Sequence, residues 1–438
     1  MSTQKFTPAF SPRALQFTTK PRSSHLWHVS LNVPSPLVAH IQDHVTHTYA
    51  NYNVIPGMTC KHLPLRYTQQ YFATEIERDT KQFVLEHFVN ESIMHHLNER
   101  GVNVVNWPRL MSITGSASDG FTYTFAVSLA PDVDIDDWKT HTFIPPRRKN
   151  YTDLDIQVSG FIKQLDEVPA PTTPDTIEHG DWVQFKATLQ SPHSTTPLNT
   201  PTTYWIHTAA ANIPLSYADA FIGKSRGDQF EISATAFAQS LGSKKDSDYN
   251  FSIVIEDIIK DTYMPLTDLA ESLSVPEVAL LPDRLIEIFS LRNDISLRRA
   301  IIEELFYMLL GTYRFDIAPH AVTRRKELLL TMMQHTPDSA VYTKQKQFLP
   351  HIGLLAESKL KEESLIDAIA LHEKISVTND DIRHYIQMAS HERLKEFVYF
   401  TPLTDDLTSS HDLLSQQAIT HIVRREKTLN HVISQLAI

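Results

Sequence analysis

A chain of 438 residues is too long for one ordinary core and should divide into two to four domains. Its 42% hydrophobic and 21% charged residues are the composition of a folded protein and exclude wholesale disorder. A formal net charge of -11 excludes polyanion binding over the whole surface, so any nucleic-acid contact must be local.

The first 42 residues carry Lys5, Arg13, Lys20 and Arg22 and no acid. Residues 1–24 read as a disordered basic tail, with an organelle transit peptide as the alternative. "HLWHVSLNV" then reads as a strand. From Ser35, Leu37, Val38, Ile41, Val45 and Tyr49 fall at helical spacing behind a Ser-Pro start. "NVIPGMTCKHLP", Asn53 to Pro64, interrupts with a Pro-Gly pair, and a second helical pattern runs on through Tyr71, Ile76, Phe83, Phe88, Ile93 and Leu97 to a capping Gly101. "GVNVVNW" and the alternating "FTYTFAVSL" read as strands, which makes residues 25–137 an α+β head.

Residues 138–177 read as a linker with one short helix and a proline-rich tail. Residues 178–262, from "GDWVQFKATL" through "TYWIHT" to "DYNFSIVIEDI", read as a small antiparallel sheet domain. Residues 263–438 carry long helical patterns punctuated by proline and read as all-α, with Asn379 and Asp412 as N-caps. The fold class is multidomain α+β.

Catalytic signatures are scarce. The single cysteine, Cys60, excludes an internal disulfide and a cysteine zinc cage and suits a reducing, cytoplasmic setting. Beside Lys61 and His62 it could be a nucleophile, but a loop cysteine without an oriented base is the plainer reading. Of the 22 histidines, those in "MHHLNE" and "SHERL" lack the i, i+4 pair with a glutamate between that would place zinc ligands on one helical face; the histidines read as surface residues, so no metal is expected. Asp132 to Phe143 superficially suggests a calcium loop, but Asp137 stands where the turn needs glycine and Phe143 where the bidentate glutamate belongs; it reads as a solvated loop. No phosphate loop, nucleophile elbow or dinucleotide fingerprint occurs, so no cofactor is expected. No apolar run approaches the ~20 residues of a membrane span, and no membrane partner is expected.

The order of parts resembles trigger factor, the bacterial ribosome-associated chaperone. "IPGMTCKHLP" keeps the length of that family's docking motif, G-F-R-x-G-K-x-P, with Pro56 and Gly57 opening it and Pro64 closing it. "FIGKSRGDQFEISA" and "DYNFSIVIEDI" are similar to strands of the family's FKBP-type prolyl isomerase domain, and "IIEELFYMLLGTYRFDIAPHAVTRR" to its arm helix. The resemblance implies a ribosome-binding head, an FKBP-like domain and helical arms, in an ATP-independent chaperone that holds nascent or unfolded polypeptides.

For the head, the resemblance implies docking at the large-subunit exit region, on protein and local RNA, through Gly57, Met58, Thr59, Cys60, Lys61, His62, Pro64 and Arg66. The family's Phe-Arg is replaced by Met58 and Thr59, and a neutral histidine cannot replace a fixed charge. Docking at the loop is therefore expected to be weakened, with the basic tail compensating. For the sheet domain the resemblance places a prolyl-peptide pocket on Phe185, Tyr204, Ile213, Tyr217 and Phe251. Such a pocket needs no acid or base, since it lowers a ~20 kcal/mol rotation barrier by favouring the twisted amide. Here "IPLSY" replaces the family's Ile-Pro-Gly-Phe turn and Ala187 replaces a pocket aromatic, so isomerase activity is expected to be weak or lost and no residue is assigned a certain catalytic role.

In "LLLTMMQHTP", Leu329, Met332 and Met333 are client-binding candidates because flexible thioethers suit promiscuous contact. A homodimer away from the ribosome is a further expectation. The rivals are an active prolyl isomerase not tied to the ribosome and a non-catalytic helical scaffold.

Overall fold

In the computed structural model, the described residues are 15–52, 63–105, 107–146, 153–170, 175–190, 201–208, 218–233, 250–261, 263–289, 296–334, 347–402 and 413–438. They fall into two compact units. The first takes the described residues of Met1–Ala130, Ala187–Thr202 and Phe230–Ile253, and the second those of Pro131–Lys186, Thr203–Gln229 and Val254–Ile438. The divisions expected near residues 177 and 262 do not coincide with these units.

The first unit is built on a four-stranded antiparallel sheet in the order β1-β2-β4-β3: β1 is Gln16–Ser23, β2 Leu26–Val33, β3 Arg109–Ser116 and β4 Gly120–Ser128. Alternation decides its faces. Val29, Leu31 and Val33 of β2 and Phe121, Tyr123, Phe125 and Val127 of β4 are buried, while the residues between them point the other way. Gly120 closes the turn at φ +92, where a Cβ would lie 2.4 Å from the Val33 carbonyl oxygen, so only glycine fits. Helix α1 (Ser35–Tyr52) buries the expected Leu37, Val38, Ile41 and Val45. The second helical pattern is not one helix. It breaks at Phe72 (φ -108, ψ 25) into α2 (Leu65–Tyr71) and α3 (Ala73–Val84), passes through one π-helical turn at Leu85–Val89 and ends as α4 (Asn90–Glu99). Gly101 caps it at φ +65, with the Val102 amide donating to Leu97 O at 3.0 Å.

Two sequence expectations for this unit are corrected. Residues 16–23 are not part of a tail but form β1, paired with β2 from Gln16↔Asn32 to Lys20↔His28; polarity hid the strand, because Thr18, Lys20, Pro21 and Arg22 are exposed on a sheet edge. Among its described residues "GVNVVNW" forms no named strand but an isolated bridge, Val104↔Leu129, and the strand that pairs with β4 there is β3.

The sheet domain expected at 178–262 is a five-stranded sheet in the order β7-β8-β5-β6-β9, with β5 at Trp182–Gln190, β6 at Thr202–His207, β7 at Gln229–Ser233, β8 at Asn250–Ile259 and β9 at Leu413–Ser415. Its last strand comes from the helical region: β9 pairs antiparallel with β6, Tyr204↔Ser415 to Ile206↔Leu413. The Trp205 indole, 1% exposed, donates to Gln416 Oε1 at 2.9 Å.

The helices of the second unit are α5 (Leu154–Asp166), α6 (Leu266–Ser272), α7 (Leu281–Leu285), α8 (Leu297–Thr312), α9 (Pro319–Gln334), α10 (Phe348–His372), α11 (Asn379–Ser390) and α12 (Gln416–Leu436). The N-cap of α11 is Thr378, not Asn379: the Thr378 hydroxyl accepts from the Asp381 amide while the Asp381 carboxylate accepts from the Thr378 amide. α12 is capped by Ser415, and Asp412 lies outside the described residues. The solvated-loop reading of Asp132–Phe143 is also overturned. Trp138 is fully buried, with Ile135 and Phe143 in the same core. Its indole donates to Glu373 at 3.1 Å, Lys139 pairs with Glu373 at 2.7 Å, and the Phe143 amide reaches Leu436 O at 3.0 Å. The hydrogen bond from Lys139 is the main cause that holds the Glu373 carboxyl down, to about 2.

A buried ion network fixes the long helices. Arg325 of α9 grips Glu363 of α10 with two bonds of 2.7 and 2.8 Å. Arg425 of α12 reaches the same Glu363 at 3.0 Å and holds Asp367 at 2.7 Å. None of the four is more than 9% exposed. Removing one partner leaves an uncompensated buried charge, so Arg425→Met is expected to destabilise this unit by about 3–5 kcal/mol, read as a lower urea midpoint. Replacing Arg325, Glu363, Asp367 and Arg425 together by apolar residues is expected to recover most of that loss.

Candidate functional site

The expected docking residues Gly57, Met58, Thr59, Cys60, Lys61 and His62 lie outside the described residues; the anchors on both sides do not. The Leu63 amide donates to Ala50 O at 3.0 Å, and Ala50, Leu63 and Phe72 form a small apolar cluster. That clamp joins the end of α1 to the chain leaving the loop. Pro64 then sets the first turn of α2, the Thr68 hydroxyl donates to Pro64 O at 3.2 Å, and Thr68 is fully buried. With Thr68 turned inward, the rest of the helix faces out: Arg66 is exposed, and Leu65, Tyr67 and Tyr71 are 37%, 49% and 54% exposed. The loop therefore leads into a short helix showing two tyrosines and an arginine. Sequence reasoning missed Tyr67 and Tyr71 because both suit a helix core; only the break at Phe72 frees them.

Of the pocket candidates, Ile213 and Tyr217 lie outside the described residues. Phe185 is fully buried, with the Tyr204 ring 5.9 Å away and nearly parallel and the Phe221 ring at 5.0 Å. Tyr204 is half-buried. Phe251, 3% exposed, has the His87 ring at 5.6 Å, and Phe83 lies 4.4 Å from His87 on the other side. These are the contacts of core aromatics.

On α9, Leu328 is buried while Leu329, Met332 and Met333 are half-buried. Other apolar side chains of the long helices are more exposed: Tyr307 of α8 is 79% exposed, and Leu349, Leu354 and Leu355 in the first turns of α10 are 52%, 65% and 43%. These four were not singled out in the sequence, where they fit the same helical period as the core. Among the described residues no cluster of histidine, cysteine and carboxylate groups could hold a metal ion, and no helix is long and apolar enough to cross a membrane.

Comparison with known proteins places this arrangement. Residues 15–160 match the family described as bacterial trigger factor protein. The trigger factor of Geotalea daltonii is 19% identical over 442 residues, covering 97% of this chain and 98% of its own, and that of Geotalea uraniireducens is 20% identical, covering 81% and 83%. The chain is thus similar to trigger factors over nearly its whole length. A solved structure described under "Promiscuous Substrate Recognition in Folding and Assembly Activities of the Trigger Factor Chaperone" spans 96% of this chain at 14% identity, with a TM-score of 0.37. The trigger factor of Rickettsia rickettsii is 22% identical over 139 residues, 30% of this chain and 29% of its own.

The histidines are not all at the surface, as expected from sequence. His44 is 5% exposed, and burial pushes His87 down to about 4. A His87 that is neutral in the fold and ordinary in the unfolded chain leaves the unfolded state holding more protons between about pH 4 and 6.5. Its contribution to stability is thus fully present above about pH 6.5 and is lost as the pH falls through that window. His87→Phe is expected to flatten this part of the pH dependence, measured as urea midpoints from pH 7 to pH 5.

Proposed function

We propose that the chain is an ATP-independent holding chaperone for unfolded and nascent polypeptides, docking at the ribosomal exit region through its N-terminal unit. The observation that carries the reading is the set of exposed apolar side chains on the long helices. Tyr307, Leu349, Leu354 and Leu355 are exposed, and Leu329, Met332 and Met333 of α9 are half-buried. The unbranched thioethers of Met332 and Met333 repack readily against many partners. The similarity to trigger factors over nearly the whole length supports the same reading.

Docking is assigned to the loop at Asn53–Pro64, with Lys61 and Arg66 as its cations and Tyr67 and Tyr71 as adjoining contact area. The five-stranded sheet takes a structural part, because Phe185 and Phe251 sit in cores where a substrate proline could not reach them. Cytoplasmic location and pairing into a homodimer away from the ribosome belong to the same proposal.

Two measurements test it. Leu354→Glu with Leu355→Glu should shorten the delay in aggregation of a chemically unfolded client at equimolar chaperone, read by light scattering, with unchanged circular dichroism; equal protection would move the client surface elsewhere. Lys61→Glu with Arg66→Glu should lower co-sedimentation with bacterial ribosomes, and undiminished binding would remove the loop from the docking site.

A further inference from the structure

The face of the four-stranded sheet opposite the helices carries a second kind of order. Register places its residues in rows that cross all four strands. One row runs Lys20, His28, Ala126, Arg109, and the next Thr18, Ser30, Thr124, Ser112. Directly opposed residues of antiparallel strands share a face. Because Val29, Phe125 and Val127 point into the core, these rows point away from it. None of their residues is buried, and Thr18, Lys20, Arg109 and Ser112 are exposed. The bulge between Pro21 and Ser23 adds Arg22, whose Nε donates to His28 Nδ1 at 3.2 Å, and the Ser30 and Thr124 hydroxyls bond to each other at 3.1 Å.

The chemistry of this face is one-sided. No strand of the sheet contains a carboxylate, whereas three fixed cations, Lys20, Arg22 and Arg109, stand on one end of it. The bias extends along the sequence: through Thr74, Lys5, Arg13, Lys20, Arg22, Lys61 and Arg66 are opposed by the single acid Asp43, in a chain whose formal net charge is -11. A solvated face of an acidic protein ordinarily mixes both signs. Concentrating cations and hydroxyls while removing every carboxylate selects for a polyanion. Lysine, arginine, serine and threonine are the donors that contact phosphate, and the one aromatic ring in these rows, His28, accepts the Arg22 hydrogen bond.

We propose that this face binds the phosphate backbone of structured RNA, without reading base sequence. Lys20, Arg22 and Arg109 supply the charge, and the hydroxyl row supplies donors next to them. The proposal deepens the reading of the N-terminal unit as a ribosome-docking unit, and it adds an RNA contact apart from the loop.

The test uses the full chain and a fluorescent RNA hairpin, with anisotropy followed over a salt series. Each phosphate contact contributes roughly 0.7–0.9 to the slope of log affinity against log salt. Lys20→Gln, Arg22→Gln and Arg109→Gln together should lower that slope by roughly 2–3 and the affinity at low salt by about 10-fold or more. A control triplet from the other unit, Lys163→Gln, Lys326→Gln and Lys395→Gln, should leave the slope in place. An unchanged slope in the sheet triplet, or no RNA binding by the wild type at low salt, overturns the proposal. Preference of the wild type for phosphatidylglycerol vesicles over RNA also overturns it, in favour of a membrane surface. If the wild type binds the hairpin through these residues yet fails to sediment with ribosomes, the ribosome reading falls and the RNA face stands.

Discussion

Arg425 is the residue on which the helical unit turns. It joins Glu363 and Asp367, one turn apart on α10, to α12, while Arg325 brings α9 to the same glutamate. Burial alone would push both carboxyls up, but the guanidinium groups reverse this and hold Glu363 and Asp367 below the ordinary carboxylate range. Two arginines and two carboxylates balance, and bidentate geometry meets the cost of desolvation. A neighbouring pair behaves differently. Arg298 and Glu426 approach only to 3.8 Å; burial pushes Glu426 up and Arg298 down, although the Tyr399 and Phe400 amides donate to Glu426. The same unit therefore contains one ion network that is satisfied and one contact that is not. The first specifies how α9, α10 and α12 meet, because a rotation of any of the three by one residue would strand a charge.

Fixing the helices in this way leaves their outer surfaces free to be apolar. A bundle held together only by hydrophobic contact would risk burying Leu354 and Leu355 against itself. Directional ion pairs have few alternative arrangements, which lets large side chains stay in water without collapsing the packing. Stability and the proposed client capture thus draw on different chemistry within the same helices.

What the sequence revealed follows the strength of its periodicity. α1, β4, β8, α8, α10 and α12 were legible because their apolar residues recur at a clean period of 3.6 or 2 over many residues. β1 was hidden by Lys20, Pro21 and Arg22, which suit an exposed edge and imitate a tail. Trp138 was hidden by its acidic neighbours Asp134, Asp136 and Asp137, which gave a polar average to a segment whose Ile135, Trp138 and Phe143 all enter the core. At the candidate docking site, spacing marked the loop, yet the exposure of Tyr67 and Tyr71 depends on a helix break at Phe72 that no breaker residue announces. The ion network was illegible for a different reason: Arg325, Glu363, Asp367 and Arg425 look like ordinary helix-surface charges until three helices are brought together.

The strand β9 makes the five-stranded sheet depend on distant synthesis. Tyr204 and Ser415 are neighbours in the sheet but are separated by most of the helical region in the sequence. A ribosome releases the β5–β8 region long before residues 413–415, so for that interval the edge of β6 has an unpaired backbone and Trp205 lacks its Gln416 acceptor. Until residues 413–415 are made, the β6 side of the sheet keeps an open edge.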